Sequence, residues 1–153
     1  MKKLSGWGNY PKKNCVTYSP SEEEEFSFLD SEKVIGRGFG RSYGDSSIQP
    51  NKTFLTKNLN RILSFDEELG HITVQSGISS DEVLKKIIPK GWFLPVSPGT
   101  KYVSIGGMVA SDVHGKNHHL EGSFGNHLIS FKLKVSNSKI LECSEEENSD
   151  LFW

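Results

Sequence analysis

Gly36-Arg37-Gly38-Phe39-Gly40-Arg41-Ser42-Tyr43-Gly44-Asp45 decides the reading of this chain. It follows directly on Lys33-Val34-Ile35, a short strand candidate. Glycine at every second position after a strand lets successive main-chain N–H groups converge on an anion with no Cβ in the way, and Arg37 and Arg41 add positive charge. The stretch is not the dinucleotide fingerprint, because no glycine stands three residues beyond Gly40 and no amphipathic helix follows. It is not a Walker A loop either, having no Gly-Lys-Ser/Thr. Two readings stay open on these residues alone. One is an anion cradle, and the other is a tight turn whose glycines only satisfy positive φ.

Outward from this loop the chain reads as short strands and few helices. Residues 1–15 read as an irregular lead-in. Ser21-Glu22-Glu23-Glu24 fits a capping box opening a helix, with Phe26 and Leu29 as its apolar face. Thr53-Phe54-Leu55-Thr56 and Ile62-Leu63-Ser64-Phe65 are strand candidates. Asp66 to Gly70 reads as a turn, and His71 to Gln75 alternates as a half-buried strand, completing a hairpin. Ser79-Ser80-Asp81-Glu82 is a second capping box. Val83, Leu84, Ile87 and Ile88 follow at helical spacing until Pro89 and Gly91. Trp92-Phe93-Leu94 reads as a strand, Pro95 to Gly99 as a loop, and Ser104 to Ala110 as a short glycine-rich helix. Gly115 to Asn126 has no period and reads as loop. Leu128–Val135 and Lys139–Cys143 form a hairpin around Asn137-Ser138, and a helix begins at Asn148. Strands outnumber helices and hairpins mix with crossovers, so the class is α+β with mixed sheets.

Two further segments carry chemistry. Pro98-Gly99-Thr100 and Ser104-Ile105-Gly106-Gly107 would let a flat or charged ligand approach the backbone, or simply pack a helix closely on a strand. Asp112-Val113-His114-Gly115-Lys116-Asn117-His118-His119 leads on to Ser123-Phe124-Gly125-Asn126-His127, and places four of the five histidines within one short stretch. Such a polar segment reads as a ligand-facing loop, with His114 able to act as acid, base or hydrogen-bond donor. A zinc site from His114, His118, His119 and His127 is a separate reading. It lacks the helical His-Glu-x-x-His pattern and any nearby cysteine, so no metal is assigned.

Composition bounds the rest. The 153 residues correspond to one domain or a piece of a larger one. Lys and Arg number 18 against 19 Asp and Glu, so no global basic field argues for nucleic acid. No apolar run approaches the roughly eighteen residues of a transmembrane helix. The charged start has no apolar segment of a secretory signal. The expected location is the cytoplasm, free or peripheral to a membrane. Cys15 and Cys143 read as two unlinked thiols.

Taken together, these segments, with Gly6-Trp7-Gly8, Leu120 to Gly122 and the closing Leu151-Phe152-Trp153, resemble the flavin-binding region of the vanillyl-alcohol-oxidase (PCMH-type) superfamily. Within it they are most similar to the flavoprotein oxidase subunits of decaprenylphosphoryl-ribose 2′-epimerases. The resemblance implies two small α/β subdomains, at about 1–60 and 61–153, with FAD held between them. It implies that Gly36 to Ser46 wrap the diphosphate with main-chain amides. Gly99, Ser104, Ile105, Gly106, Gly107, Ser111, Asp112, Val113 and His114 would line the flavin, with His114 and Lys116 on its substrate side. The implied reaction is hydride transfer from a sugar 2′-hydroxyl carbon, on a polyprenyl phosphate, to flavin N5. Many members bond the flavin through a histidine in a Gly-His-Ser arrangement. Gly40-Arg41-Ser42 has arginine there, which implies non-covalent FAD. Residues 1–153 are expected to be the N-terminal part of the FAD domain without a substrate domain. Catalysis is then expected to need a second polypeptide or self-association. The alternative reading is a non-catalytic flavin- or nucleotide-binding module.

Overall fold

A computed structural model describes residues 1–22, 28, 32–136 and 139–153. The chain opens with an antiparallel hairpin, β1 (Lys2–Ser5) and β2 (Lys12–Cys15), where an irregular lead-in was expected. No apolar alternation announces these strands, because Cys15 alone among them is buried. The ladder itself, from Lys2 opposite Cys15 to Ser5 opposite Lys12, supplies the order.

β3 (Thr17–Tyr18), β4 (Ile35–Arg37) and β5 (Thr53–Leu55) form a parallel sheet in the order β3-β5-β4. The strand expected at Lys33–Ile35 thus runs two residues further. Gly36 and Arg37 are ladder residues opposite Phe54 and Leu55, so the loop proper starts at Gly38. β5 is buried at Thr53 and Phe54, as a strand paired on both sides should be. The helix expected after Ser21 falls mostly outside the described residues.

The expected second hairpin is β6 (Ile62–Asp66) with β7 (His71–Val74), joined by a turn in which Asp66 Oδ1 accepts from the N–H groups of Glu68 and Leu69 at 2.9 Å each. α1 (Ser80–Ile87) starts on the anticipated capping box. Ser79 Oγ accepts from Glu82 N at 3.1 Å, and the Glu82 carboxylate accepts from Ser79 N at 3.0 Å. Val83 and Ile87 point from α1 into a core with Ile78 and Leu94. Burying each such side chain contributes about 1.5–3 kcal/mol. Trp92-Phe93-Leu94 is not a strand. Trp92 donates its indole N–H to Glu67 O at 3.0 Å, Leu94 enters the core, and Phe93 stays exposed, so the segment pins loop to hairpin without a ladder.

α2 (Ile105–Ala110) is the expected glycine-rich helix. Met108 fills a second core with Val96 and Phe124, and Ile105 packs against both cores. The region expected to be all loop contains α3 (His118–Glu121) and a 3-10 turn at Phe124–His127. That turn is capped by Ser123 and Asn126 rather than by apolar periodicity, so hydrophobic spacing did not reveal it. β8 (Ser130–Lys134) pairs with β9 (Ile140–Ser144), and α4 (Ser149–Phe152) packs Phe152 on Phe131 at 5.7 Å. The hairpin's turn at Asn137-Ser138 lies outside the described residues. Cys15 and Cys143 are free and buried. The architecture is α+β, with several small sheets and short helices. Among the described residues no helix is long and apolar enough to cross a membrane.

Candidate functional site

The glycine loop leaves the parallel sheet at Gly38, and the chain is pinned there. A Cβ on Gly38 would strike Ser104 Oγ and lie 2.9 Å from Ser104 Cβ, so the start of the loop sits against the N-cap of α2. Gly40 (φ 67°) and Gly44 (φ 60°) adopt the left-handed backbone that glycine alone takes without strain. A Cβ on Gly40 would also enter the Arg37 guanidinium, whereas one on Gly44 would meet nothing. From Phe39 to Ser47, no main-chain N–H donates to another described residue. A run of unpaired donors around two left-handed glycines is the chemistry of an anion nest.

The charged side chains of the loop are spent on the scaffold. Arg37 donates through Nη2 to Ser5 O at 2.6 Å and through Nη1 to Ser47 Oγ at 3.0 Å. Burial pushes its guanidinium down from its ordinary value. Arg41 donates from Nε to Tyr102 O at 3.0 Å and lies over the Trp7 ring at 4.6 Å. Asp45 pairs with Lys13 at 2.6 Å, which holds its carboxyl below the usual carboxylate range. Phe39 lies under the Lys57 ammonium, Ser46 Oγ donates to Tyr43 O, and Tyr43 is exposed. Gly36 has open space at its Cβ position.

α2 is set at close backbone range. Gly106 donates to Ser76 O at 2.8 Å, and its Cβ position lies 2.7 Å from Ser76 Cβ, so only glycine fits. Ser104 Oγ accepts from Gly107 N at 3.2 Å. Ile105 and Val113 turn their side chains to the cores and offer only main chain to a ligand. Ser111 and Asp112 follow α2 at the surface, and Asp112 (φ 38°) accepts from Gly125 N at 2.9 Å, tying the histidine segment back onto the helix.

That segment forms one wall of a cleft of about 710 Å³ with the loop that follows α1. Phe93, Pro95, Pro98 and Gly99 face His114, Lys116 and His118 across it. Asn117 holds the walls together, donating from Nδ2 to Pro95 O at 3.0 Å. Gly115 is needed there, because its Cβ position lies 2.8 Å from Ser97 O. The rings of His114 and His118 meet edge to face at 5.7 Å, and both side chains are exposed. His127 turns away to Glu121 O at 2.9 Å. Among the described residues no group of three or more His, Cys, Asp or Glu is placed to hold a metal ion, so the four-histidine zinc reading has no geometric basis.

The structure therefore brings Gly38 to Ser104, Arg41 to Tyr102, and Gly99 to His114 and Lys116. It turns Arg37 away from any anion the loop would hold. Sequence reasoning missed Ser97, whose hydroxyl oxygen is buried with no hydrogen-bond partner among the described residues and which lines the cleft. A lone serine before proline carries no spacing signal. An orphaned hydroxyl beside an aromatic-lined cleft, together with a run of unpaired amides, fits a ligand with both a diphosphate and a flat heteroaromatic ring, as FAD has.

Comparison with known proteins agrees. A family model described as FAD binding domain matches residues 30–144. Decaprenylphosphoryl-β-D-ribose oxidase of Mycolicibacterium smegmatis is 37% identical over 161 residues, spanning 99% of this chain and 35% of the relative. L-gulonolactone oxidase of Mus musculus is 27% identical over 124 residues, spanning 80% of this chain and 28% of that one. The chain thus covers about a third of the length of these relatives. Among solved structures, a BBE-like 1 variant of Physcomitrella patens superposes with a TM-score of 0.74 at 15% identity, over 89% of this chain and 31% of the other. By sequence the chain belongs to the FAD binding domain family, and its fold is that of the oxidases it superposes on.

Proposed function

We propose that this chain is the FAD-holding part of an oxidoreductase that oxidises a CH–OH group of a sugar, of the polyprenylphosphoryl-ribose class. The observation that carries the reading is the run of unpaired main-chain N–H groups from Phe39 to Ser47, set against the N-cap of α2. The loop would hold the diphosphate through its amides. Gly99, Ser104, Gly107 and the main chain from Ser111 to His114 would line the ring system. The ligand would then lie between the 1–60 and 61–153 parts, to which the loop and the cleft respectively belong. When bound, FAD supplies a two-electron acceptor at N5 for the hydride from the alcohol carbon.

The chain's own residues supply the rest. His114 faces the cleft as the group that takes the hydroxyl proton as the C–H bond breaks. The Lys116 ammonium stabilises negative charge on the substrate oxygen, or on the phosphate beside it. Both side chains are exposed here, so the exclusion of water would come from outside these residues. Identity to a lipid-linked ribose oxidase along almost the whole chain supports the substrate class.

Arg41 stands where a histidyl attachment would be made and is already committed to Tyr102 and Trp7, so FAD is held without a covalent bond. The test is an absorbance spectrum of purified protein before and after FAD addition and gel filtration. A flavin band that co-elutes with the protein and is released by acid supports the reading. Colourless protein that takes up no FAD overturns it, and flavin retained by the denatured chain overturns the non-covalent part.

A further inference from the structure

The Gly6-Trp7-Gly8 segment lies along the glycine loop. Gly6 is buried, and a Cβ there would collide with Gly44 O and lie 2.6 Å from Ser42 O. Trp7 N donates to Ser42 O at 2.8 Å. Arg37 reaches back to Ser5 O at 2.6 Å, and Lys13 on β2 reaches Asp45 at 2.6 Å. The Trp7 ring carries the Arg41 guanidinium. The turn that presents these groups is itself fixed, with Asn9 N donating to Gly6 O at 3.1 Å and Asn9 in the left-handed region (φ 58°). Loop positions 37, 41, 42, 44 and 45 are thus all touched by one small hairpin.

The sense of these ties matters. The hairpin donates to a loop carbonyl and packs on two, while no main-chain N–H of residues 39–47 is used. Holding the Ser42 carbonyl against the hairpin leaves the Tyr43 amide of the same peptide for the opposite side, while the Asp45 amide meets its own carboxylate. An anion site needs that polarity, because carbonyl oxygens turned toward a diphosphate would repel it. We infer that the residue 5–9 segment is a strap that sets the glycine loop in its anion-binding form. Gly6, Trp7 and Arg37 are then positioning residues for the FAD diphosphate that never touch it. The inference rests on the FAD reading above.

The test measures dissociation constants of FAD, ADP and riboflavin, by flavin fluorescence and by calorimetry, for the parent and for Gly6→Val, Arg37→Met and Lys13→Ala. Lys13 is a half-exposed partner on β2 and serves as a second variant if Gly6→Val does not fold. A strap predicts that FAD and ADP weaken together, by about tenfold or more in Gly6→Val and Arg37→Met, the effect of losing one hydrogen bond to a charged group. Lys13→Ala should weaken both about twofold. Riboflavin, which has no diphosphate, should be unchanged. A general loss of structure would weaken all three ligands alike and would overturn the strap. Parent-like FAD and ADP binding in the folded variants would also overturn it while leaving the FAD reading intact. A parent protein that binds neither FAD nor ADP overturns that reading and the strap with it.

Discussion

Ser97 and Gly77 show how single residues can be read for opposite purposes. A buried hydroxyl with no partner costs folding free energy, so Ser97 is a poor choice for stability alone. Ser97→Ala should leave the ligand-free protein within about 0.5 kcal/mol of the parent, or slightly more stable, by urea denaturation. FAD affinity should fall roughly two- to tenfold, the worth of one neutral hydrogen bond. An unchanged affinity would show that the hydroxyl serves no ligand. Gly77 is the reverse case. It donates to Leu59 O at 2.8 Å, and a Cβ there would run into the Thr56 carbonyl. Backbone meets backbone, so neither side can yield cheaply. Gly77→Ala should cost about 2 kcal/mol or more in the same assay. A parent-like midpoint would mean that the approach of Thr56 relaxes without cost.

Short helices depend on their ends, and α1 and α2 are capped by serines with different surroundings. Ser79 closes a reciprocal capping box on α1, whereas Ser104, bridged to Ser79 through the main chain, caps α2 against Gly38. Each serine-to-alanine change should cost about 1 kcal/mol of stability. Only Ser104→Ala should also weaken FAD, and equal loss of FAD binding in both variants would remove the special standing of the α2 cap. α1 is further tied by Asp81, which accepts from Lys101 and from Lys85 and is thereby held below the usual carboxylate range. A carboxyl lowered on folding stabilises the protein above its unfolded value of about 4, and that contribution disappears as pH falls through the lower folded value. Thermal midpoints of Asp81→Asn should therefore lie below the parent at neutral pH and converge on it in acid. Parallel curves would show that the contacts do not couple to protonation. The same elements show what could be read from sequence. The α1 box and the Asp66–Gly70 turn were legible because side chains at fixed offsets close local hydrogen bonds. The β1–β2 hairpin and α3 were not, because main-chain pairing and neighbouring loops make them, with no apolar period at Lys2–Ser5 or His118–Glu121. The glycine loop could be located but not oriented. Only the structure shows that Arg37 points into the scaffold and that Ser97 lines the cleft.

Among the described residues the two clusters of buried apolar side chains lie in residues 62–124, and the parallel sheet and the glycine loop in the first part carry the buried Cys15, Ile48, Phe54 and Leu59 outside them. Local opening is cheapest where buried contacts are few, so the first part should exchange its amide hydrogens sooner than α1. The amides from Phe39 to Ser47 have no acceptor on another described residue, and without ligand they should exchange close to the rate of an unfolded chain. FAD that docks on the loop gives these groups an acceptor and also ties the loop to the N-cap of α2. Saturation at a hundredfold excess over the dissociation constant adds about 2.7 kcal/mol to global stability, which slows exchange everywhere by a common factor. Protection beyond that factor marks the amides that bond the ligand. Hydrogen–deuterium exchange with and without FAD should therefore show the greatest excess slowing at residues 39–47, with a smaller excess around residues 104–107. Slowing that is uniform along the chain, or centred on α1 with the loop unprotected, would mean that FAD engages some other surface and that the unpaired amides serve a different ligand.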